Sequence, residues 1–267
     1  MIDIQWALAY AVLGGFVGFF AGLLGIGGGG IMVPVLTTMF VMQNFGDQHV
    51  VHMALSTSMA SIIITAISSL RAHHRHGAVL WPVVKTITPG ILAGTFGAAF
   101  IASQASSHAL AIFFACFMAY VALQMLLNVK PKPHRNLPGP LGLSLAGLGI
   151  GGISALVAIG GASVSVPFMT WCNVRIQNAI GTASAIGLPI AVSGTIGYLI
   201  SGWGAQNMPP YTLGYIYFPA VILMSAVSYF TAPIGAGLAH KLPVATLKKI
   251  FAGLLILLCL RMLRAIF

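Results

Sequence analysis

Acidic residues are almost absent from this chain: two carboxylates, Asp3 and Asp47, stand in 267 positions against 12 Lys and Arg. Both fall outside the long apolar runs. Cation sites and proton relays inside membranes rest on buried carboxylates, so cation transport and carboxylate-based proton coupling are disfavoured. Charged residues of either sign make up 5% of the chain, where a soluble domain carries about a quarter. Cysteine is scarce too. Cys116, Cys172 and Cys259 lie in or beside apolar segments with no paired spacing, and read as packing residues rather than as a disulfide or metal framework. Neither an HExxH pattern nor a GxSxG elbow occurs, so no catalytic residues, metal or cofactor are expected.

What fills the space is hydrophobic: 58% of residues, with a mean hydropathy of +0.99. Uncharged stretches such as Ile4 to Gly46 and Val50 to Leu70 match or exceed what crosses a bilayer, about 20 apolar residues, and Ala252 to Leu260 is a shorter one. In lipid each span must satisfy its own backbone hydrogen bonds, which predicts helices. The runs are continuous rather than alternating, which excludes a transmembrane β-barrel. Met1 to Gln5 lacks a basic region, and the hydrophobicity after it does not stop, so a first span is expected rather than a secretory signal. The net charge of +10 is spread among loops between spans. That spread fits lipid headgroups and topology, not nucleic acid.

The sequence therefore predicts an all-α integral membrane protein. Apolar runs lie near 5–24, 31–43, 50–70, 81–103, 109–129, 141–159, 163–173, 179–201, 212–234 and 245–266. They come in two related sets. Gly27, Gly28, Gly29 and Gly30 lead to Val33 and Pro34, as Gly160, Gly161, Ala162 and Ser163 lead to Val166 and Pro167. Ala54 to Thr57 matches Ala179 to Thr182, Pro89 matches Pro219, Gly97-Ala98 matches Gly235-Ala236, and Ile112-Phe113 matches Ile250-Phe251. The expected organisation is a first repeat over 1–129, a polar linker over 130–139 and a second repeat over 140–267.

Positive charge arbitrates between two arrangements. Treating 5–43 as a helical hairpin broken by glycine makes five segments per half and inverts the second half. Ten of the 12 basic residues then fall on one face, leaving Arg261 and Arg264 opposite. A parallel 4+4 arrangement divides them less sharply. The bias favours an inverted 5+5 repeat with the linker on the cytoplasmic side.

Two features carry chemistry. The glycine breaks open short helices whose N-termini bear partial positive charge and unpaired N–H donors, a setting suited to an oxyanion. Candidate binding residues are Gly27, Gly28, Gly29, Gly30, Gly160, Gly161, Ala162, Ser163 and Ser165; close helix packing is the alternative role for the glycines. The hydroxyls of Ser56, Thr57 and Thr182 can donate to an anion or bond back to the main chain. Arg175 can guard an inner entrance or serve as a positive-inside anchor. His73, His74 and His76 share a basic stretch with Arg71 and Arg75 and read as a headgroup-facing loop. His52 is a candidate proton sensor.

The paired breaks Gly27 to Pro34 and Gly160 to Pro167, the stretch Ala179 to Thr182 with its copy Ala54 to Thr57, and the closing Leu247 to Phe251 resemble the sulfite exporter TauE/SafE family along nearly the whole chain. The resemblance implies a multi-pass permease of a bacterial-type inner membrane. It implies as cargo a small sulfur-containing anion, sulfite or an organosulfonate, moved by alternating access; a passive anion channel is the alternative. A homo-oligomer is compatible with such a chain. Ser56 stands opposite Gly181, and Ala162 and Ser163 replace glycines, so the halves are expected to contribute unequally.

Overall fold

A computed structural model describes residues 3–24, 28–46, 48–127, 136–238 and 244–266. Each of the ten apolar runs forms a helix: α1 (Ile4–Leu24), α2 (Gly29–Met42), α3 (Val50–Arg75), α4 (Trp81–Gln104), α5 (Ser107–Leu126), α6 (Pro140–Val157), α7 (Ala162–Trp171), α8 (Ile176–Ser201), α9 (Phe218–Leu238) and α10 (Val244–Ile266). Seven of them are long and apolar enough to cross a membrane. At 1.5 Å per residue, α2 and α7 reach only about 21 and 15 Å, short of a hydrocarbon core of about 30 Å. The linker residues Lys130 to Arg135 lie outside the described residues.

The ninth run departs from expectation. Its helix begins at Phe218, because Gly214 takes a left-handed φ of 57° and the preceding residues fold into a ribbon of β1 (Thr212–Leu213) and β2 (Ile216–Tyr217). Tyr215, Ile216 and Tyr217 are buried, so this apolar stretch packs on protein rather than lipid. The connection from α8 to α9 is correspondingly longer than the short loops the sequence suggests.

Two helix pairs share one packing scheme, α1 along α9 and α4 along α6. Small residues permit it, letting backbones approach without a side chain between them. Gly14 and Gly18 of α1 rest on the main chain at Met224 and Ser228 of α9, and Gly147 and Gly151 of α6 rest on the main chain at Ile87 and Ile91 of α4. Between these pairs run α3 and α8. The hydrophobic stretch of α3 is 78% buried by protein, against 33% for α5 and α9. A span so enclosed is free to carry polar side chains that lipid would reject.

Directions follow from specific contacts. Gln43, just past α2, donates through Nε2 to the Tyr10 hydroxyl in the second turn of α1 at 2.7 Å, so α2 runs back along α1 as a hairpin. Ser69 lies 3.4 Å from Ser184, while the Met59 side chain packs on Gly194. Numbers rise along α3 as they fall along α8, so these helices are antiparallel.

Pro82 and Pro219 each occupy the second position of a helix, and Pro89 lies further along α4. Phe114 and Phe251 are both fully buried whereas Phe113 is exposed. An uninterrupted apolar run does not mark which of two adjacent phenylalanines faces protein.

Candidate functional site

The two breaks have the same backbone. Gly28 precedes α2 at φ 81°, ψ −10°, and Gly161 precedes α7 at φ 79°, ψ −17°. An L side chain in that region costs about 1–2 kcal/mol, which is why glycine stands at both. No side chain caps either helix N-terminus. The breaks also touch. Gly29 lies against the Ala158 carbonyl so closely that a Cβ would overlap the oxygen. Ala158 ends α6 with a left-handed φ of 47°. Gly27 lies outside the described residues.

Around the second break, donors are unspent. The amides of Gly160, Gly161, Ala162 and Ser163 find no backbone acceptor among the described residues. The hydroxyls of Ser163 and Ser165 are buried without a partner. At the first break Gly30 faces Met118 of α5 and Leu255 of α10, an apolar setting. The amides of Gly29 and Gly30 likewise find no backbone acceptor among the described residues, so the two breaks differ in the hydroxyls of Ser163 and Ser165.

The other predicted residues are placed differently. Thr57 Oγ1 accepts from the Tyr217 N–H at 3.1 Å, and Thr182 Oγ1 accepts from the Leu80 N–H at 3.0 Å. Ser56 donates to the carbonyls of Tyr215 and Met53 at 2.5 and 3.1 Å. Gly181, the residue that the sequence aligns with it, packs directly on Ala78, where a serine side chain has no room. These hydroxyls hold helix entrances. Arg175 is exposed at the start of α8. His52 places Nε2 at 3.1 Å from the Ala102 carbonyl and Nδ1 at 3.4 Å from Ser107 Oγ, with its ring against Tyr215. That cluster belongs to the opposite end of α3 from Arg71 and Arg75.

A small cavity adjoins the second break. It is lined by Gly160, Thr65, Ser69, Ser184 and Gly187, with Ala21, Ile62 and Ala66 behind them. Its volume of about 10 Å³ has room for roughly one water. Thr65 Oγ1 also meets Ser228 Oγ of α9 at 2.9 Å. Sequence reading singled out Gly160 but neither Thr65 nor Ser69. A signal for them exists: Thr57, Ser61, Thr65 and Ser69 recur every fourth residue and form one polar stripe along an otherwise apolar helix.

A bundle of apolar helices, broken at two matching glycines and carrying hydroxyls and free amides at its centre, defines a polytopic membrane protein of the transporter class. The chain belongs to the sulfite exporter TauE/SafE family, whose model matches residues 10–262. A probable membrane transporter protein of Haemophilus influenzae is 38% identical over 253 residues, spanning 94% of this chain and 96% of that protein. The probable membrane transporter protein YdhB of Bacillus subtilis is 26% identical, covering 90% and 96%. One from Methanocaldococcus jannaschii is 25% identical, covering 91% and 90%. These names indicate a membrane transporter rather than an enzyme. No solved structure matches the chain significantly.

Proposed function

We propose that the chain is a secondary carrier for a small sulfur-containing oxyanion, sulfite or an organosulfonate, in a bacterial-type inner membrane, and that it works by alternating access. The observation that carries this reading is the contact between the breaks. Two short helices start from left-handed glycines that meet through Gly29 and Ala158, with unspent amides and buried hydroxyls at the second. Donors fixed in a water-poor centre favour an anion, and no acidic residue lies within a described helix to repel it.

The halves are read as an inverted repeat of five helices each. Matching helices α3 and α8 run antiparallel, and the largest contacts between halves come with exchanged partners, α1 on α9 with α6 on α4 and α3 on α9 with α8 on α4, as Gly14 on Met224 goes with Gly147 on Ile87; α2 on α10 has no such partner. Such a scaffold supports rocking of one half against the other. The nearly filled centre favours a carrier over a passive channel, which needs a continuous path.

Uptake of sulfite by proteoliposomes tests the function. Saturable flux without single-channel current is expected. Absence of flux for sulfite and for methanesulfonate overturns the carrier reading. A folded Ser163→Leu variant is expected to lose transport; wild-type flux from it removes the second break from the site.

A further inference from the structure

We propose that the cavity between α3 and α8 seats the cargo through Thr65, Ser69 and Ser184, and that it selects a singly charged oxyanion, hydrogen sulfite or a sulfonate, over a dianion. This rests on the carrier reading and adds to it the contact residues and the charge.

The hydroxyls are arranged to give protons to a ligand. Ser69 donates to Ser184 at 3.4 Å, long for an O–H···O bond, whose usual length is about 2.7–2.8 Å. Ser184 accepts that bond, so its own proton has no acceptor among the described residues. One turn away, Thr65 and Ser228 are hydrogen-bonded at 2.9 Å and each also reaches a main-chain carbonyl, that of Ser61 and of Ser225, while Gly160 closes the cavity on the break side. The cavity as it stands admits little more than a water, so a bound anion parts the long Ser69–Ser184 contact and accepts a hydrogen bond from each hydroxyl.

The site is single although the scaffold is doubled. Exchanging the halves sends Ser69 to Gly194, Ser184 to Met59 and Thr65 to Ile190. At that mirrored place the Met59 thioether packs on Gly194, about 3.2 Å from where a Cβ would stand. The result is an apolar plug. The polar copy lies toward the end of α3 that carries Arg71 and Arg75.

Charge selection comes from what the lining lacks. No Lys, Arg or His is among the residues lining it. The cost of desolvating an ion grows as the square of its charge, while neutral donors compensate only in proportion to the charge. A dianion therefore pays about four times the desolvation penalty of a monoanion for roughly twice the return. A monoanion also asks fewer hydrogen bonds of the three lining hydroxyls than a dianion does.

The test is competition against sulfite uptake in proteoliposomes at fixed pH. Methanesulfonate, which carries one charge at every accessible pH, is expected to compete, and sulfate is expected not to. Ser184→Ala and Ser69→Ala are expected to raise the KM roughly tenfold or more while changing kcat less, as loss of a hydrogen bond to an ion does. Sulfate competing as well as methanesulfonate overturns the charge inference. An unchanged KM in both folded variants overturns the site. Either result, obtained with wild-type sulfite flux intact, leaves the carrier reading standing; wild-type protein that moves neither probe overturns that reading instead.

Discussion

Thr57 and Thr182 perform one task at opposite ends of the molecule. Each takes a hydrogen bond from the main-chain N–H just ahead of a helix of the other half, Tyr217 before α9 and Leu80 before α4. The first four N–H groups of a helix have no internal partner, so a hydroxyl at the entrance fixes where the helix begins. Removing it leaves a buried donor unpaired. Thr57→Val and Thr182→Val are each expected to cost about 1–3 kcal/mol, read as a lowered unfolding temperature in detergent, with Thr→Ser retaining most of the stability. Equal melting of the valine and serine variants would refute the role.

Glycines with neighbours and glycines without them make a matched pair of tests. Gly29→Ala drives a methyl into the Ala158 carbonyl, whereas a Cβ at Gly97 meets nothing within 4 Å. Gly97→Ala is expected to hold or raise stability by up to about 1 kcal/mol through helix propensity. Gly29→Ala is expected to cost about 1–3 kcal/mol or more, as overpacking does. Thermal unfolding of both variants checks it, and similar values would discount the contact between the breaks.

Sidedness tests the antiparallel core. His76 follows α3, Arg175 precedes α8 and Asn207 follows α8, all exposed. In a Cys116→Ala background, His76→Cys and Arg175→Cys are expected to react with an impermeant maleimide from the same side, and Asn207→Cys from the other. Labelling of positions 76 and 175 from opposite sides contradicts the arrangement.

His49 sits just before α3, and burial pushes its pKa below the ordinary 6.5. The neutral form is favoured in the folded state, so the unfolded chain binds the proton first as pH falls. The contribution to stability is complete above 6.5 and is lost as pH drops below that value toward the folded pKa. Unfolding temperature is thus expected to decline on acidification, with a shallower decline in His49→Gln. Identical pH profiles for the two proteins would exclude His49 as the cause.

Hydrophobic length and glycine placement made most of the fold legible. All ten helices lie where apolar runs stand, and both breaks fall at Gly28 and Gly161, because lipid leaves the backbone no alternative to a helix and φ near +80° leaves little alternative to glycine. The ribbon before α9 was hidden, since Tyr215 to Tyr217 are as apolar as a span and only tertiary contact distinguishes the two. Thr65 and Ser69 were hidden for a related reason. Their place beside Gly160 depends on α3 and α8 lying antiparallel, a relation between residues more than a hundred positions apart. Thr57 and Thr182 were legible as a pair, but their engagement by Tyr217 and Leu80 shows only in three dimensions.

The exchanged packing has a consequence for biogenesis. During synthesis α4 is in the membrane long before α6, the helix whose glycines it receives, and α1 waits longer still for α9. The entrance of α4 likewise lacks its hydroxyl until α8 arrives. The amino-terminal half cannot finish folding as it leaves the ribosome, and inserts as a set of open grooves that the later helices close. Chains severed at the linker and expressed together should assemble, whereas the amino-terminal half made alone should be cleared by membrane proteases.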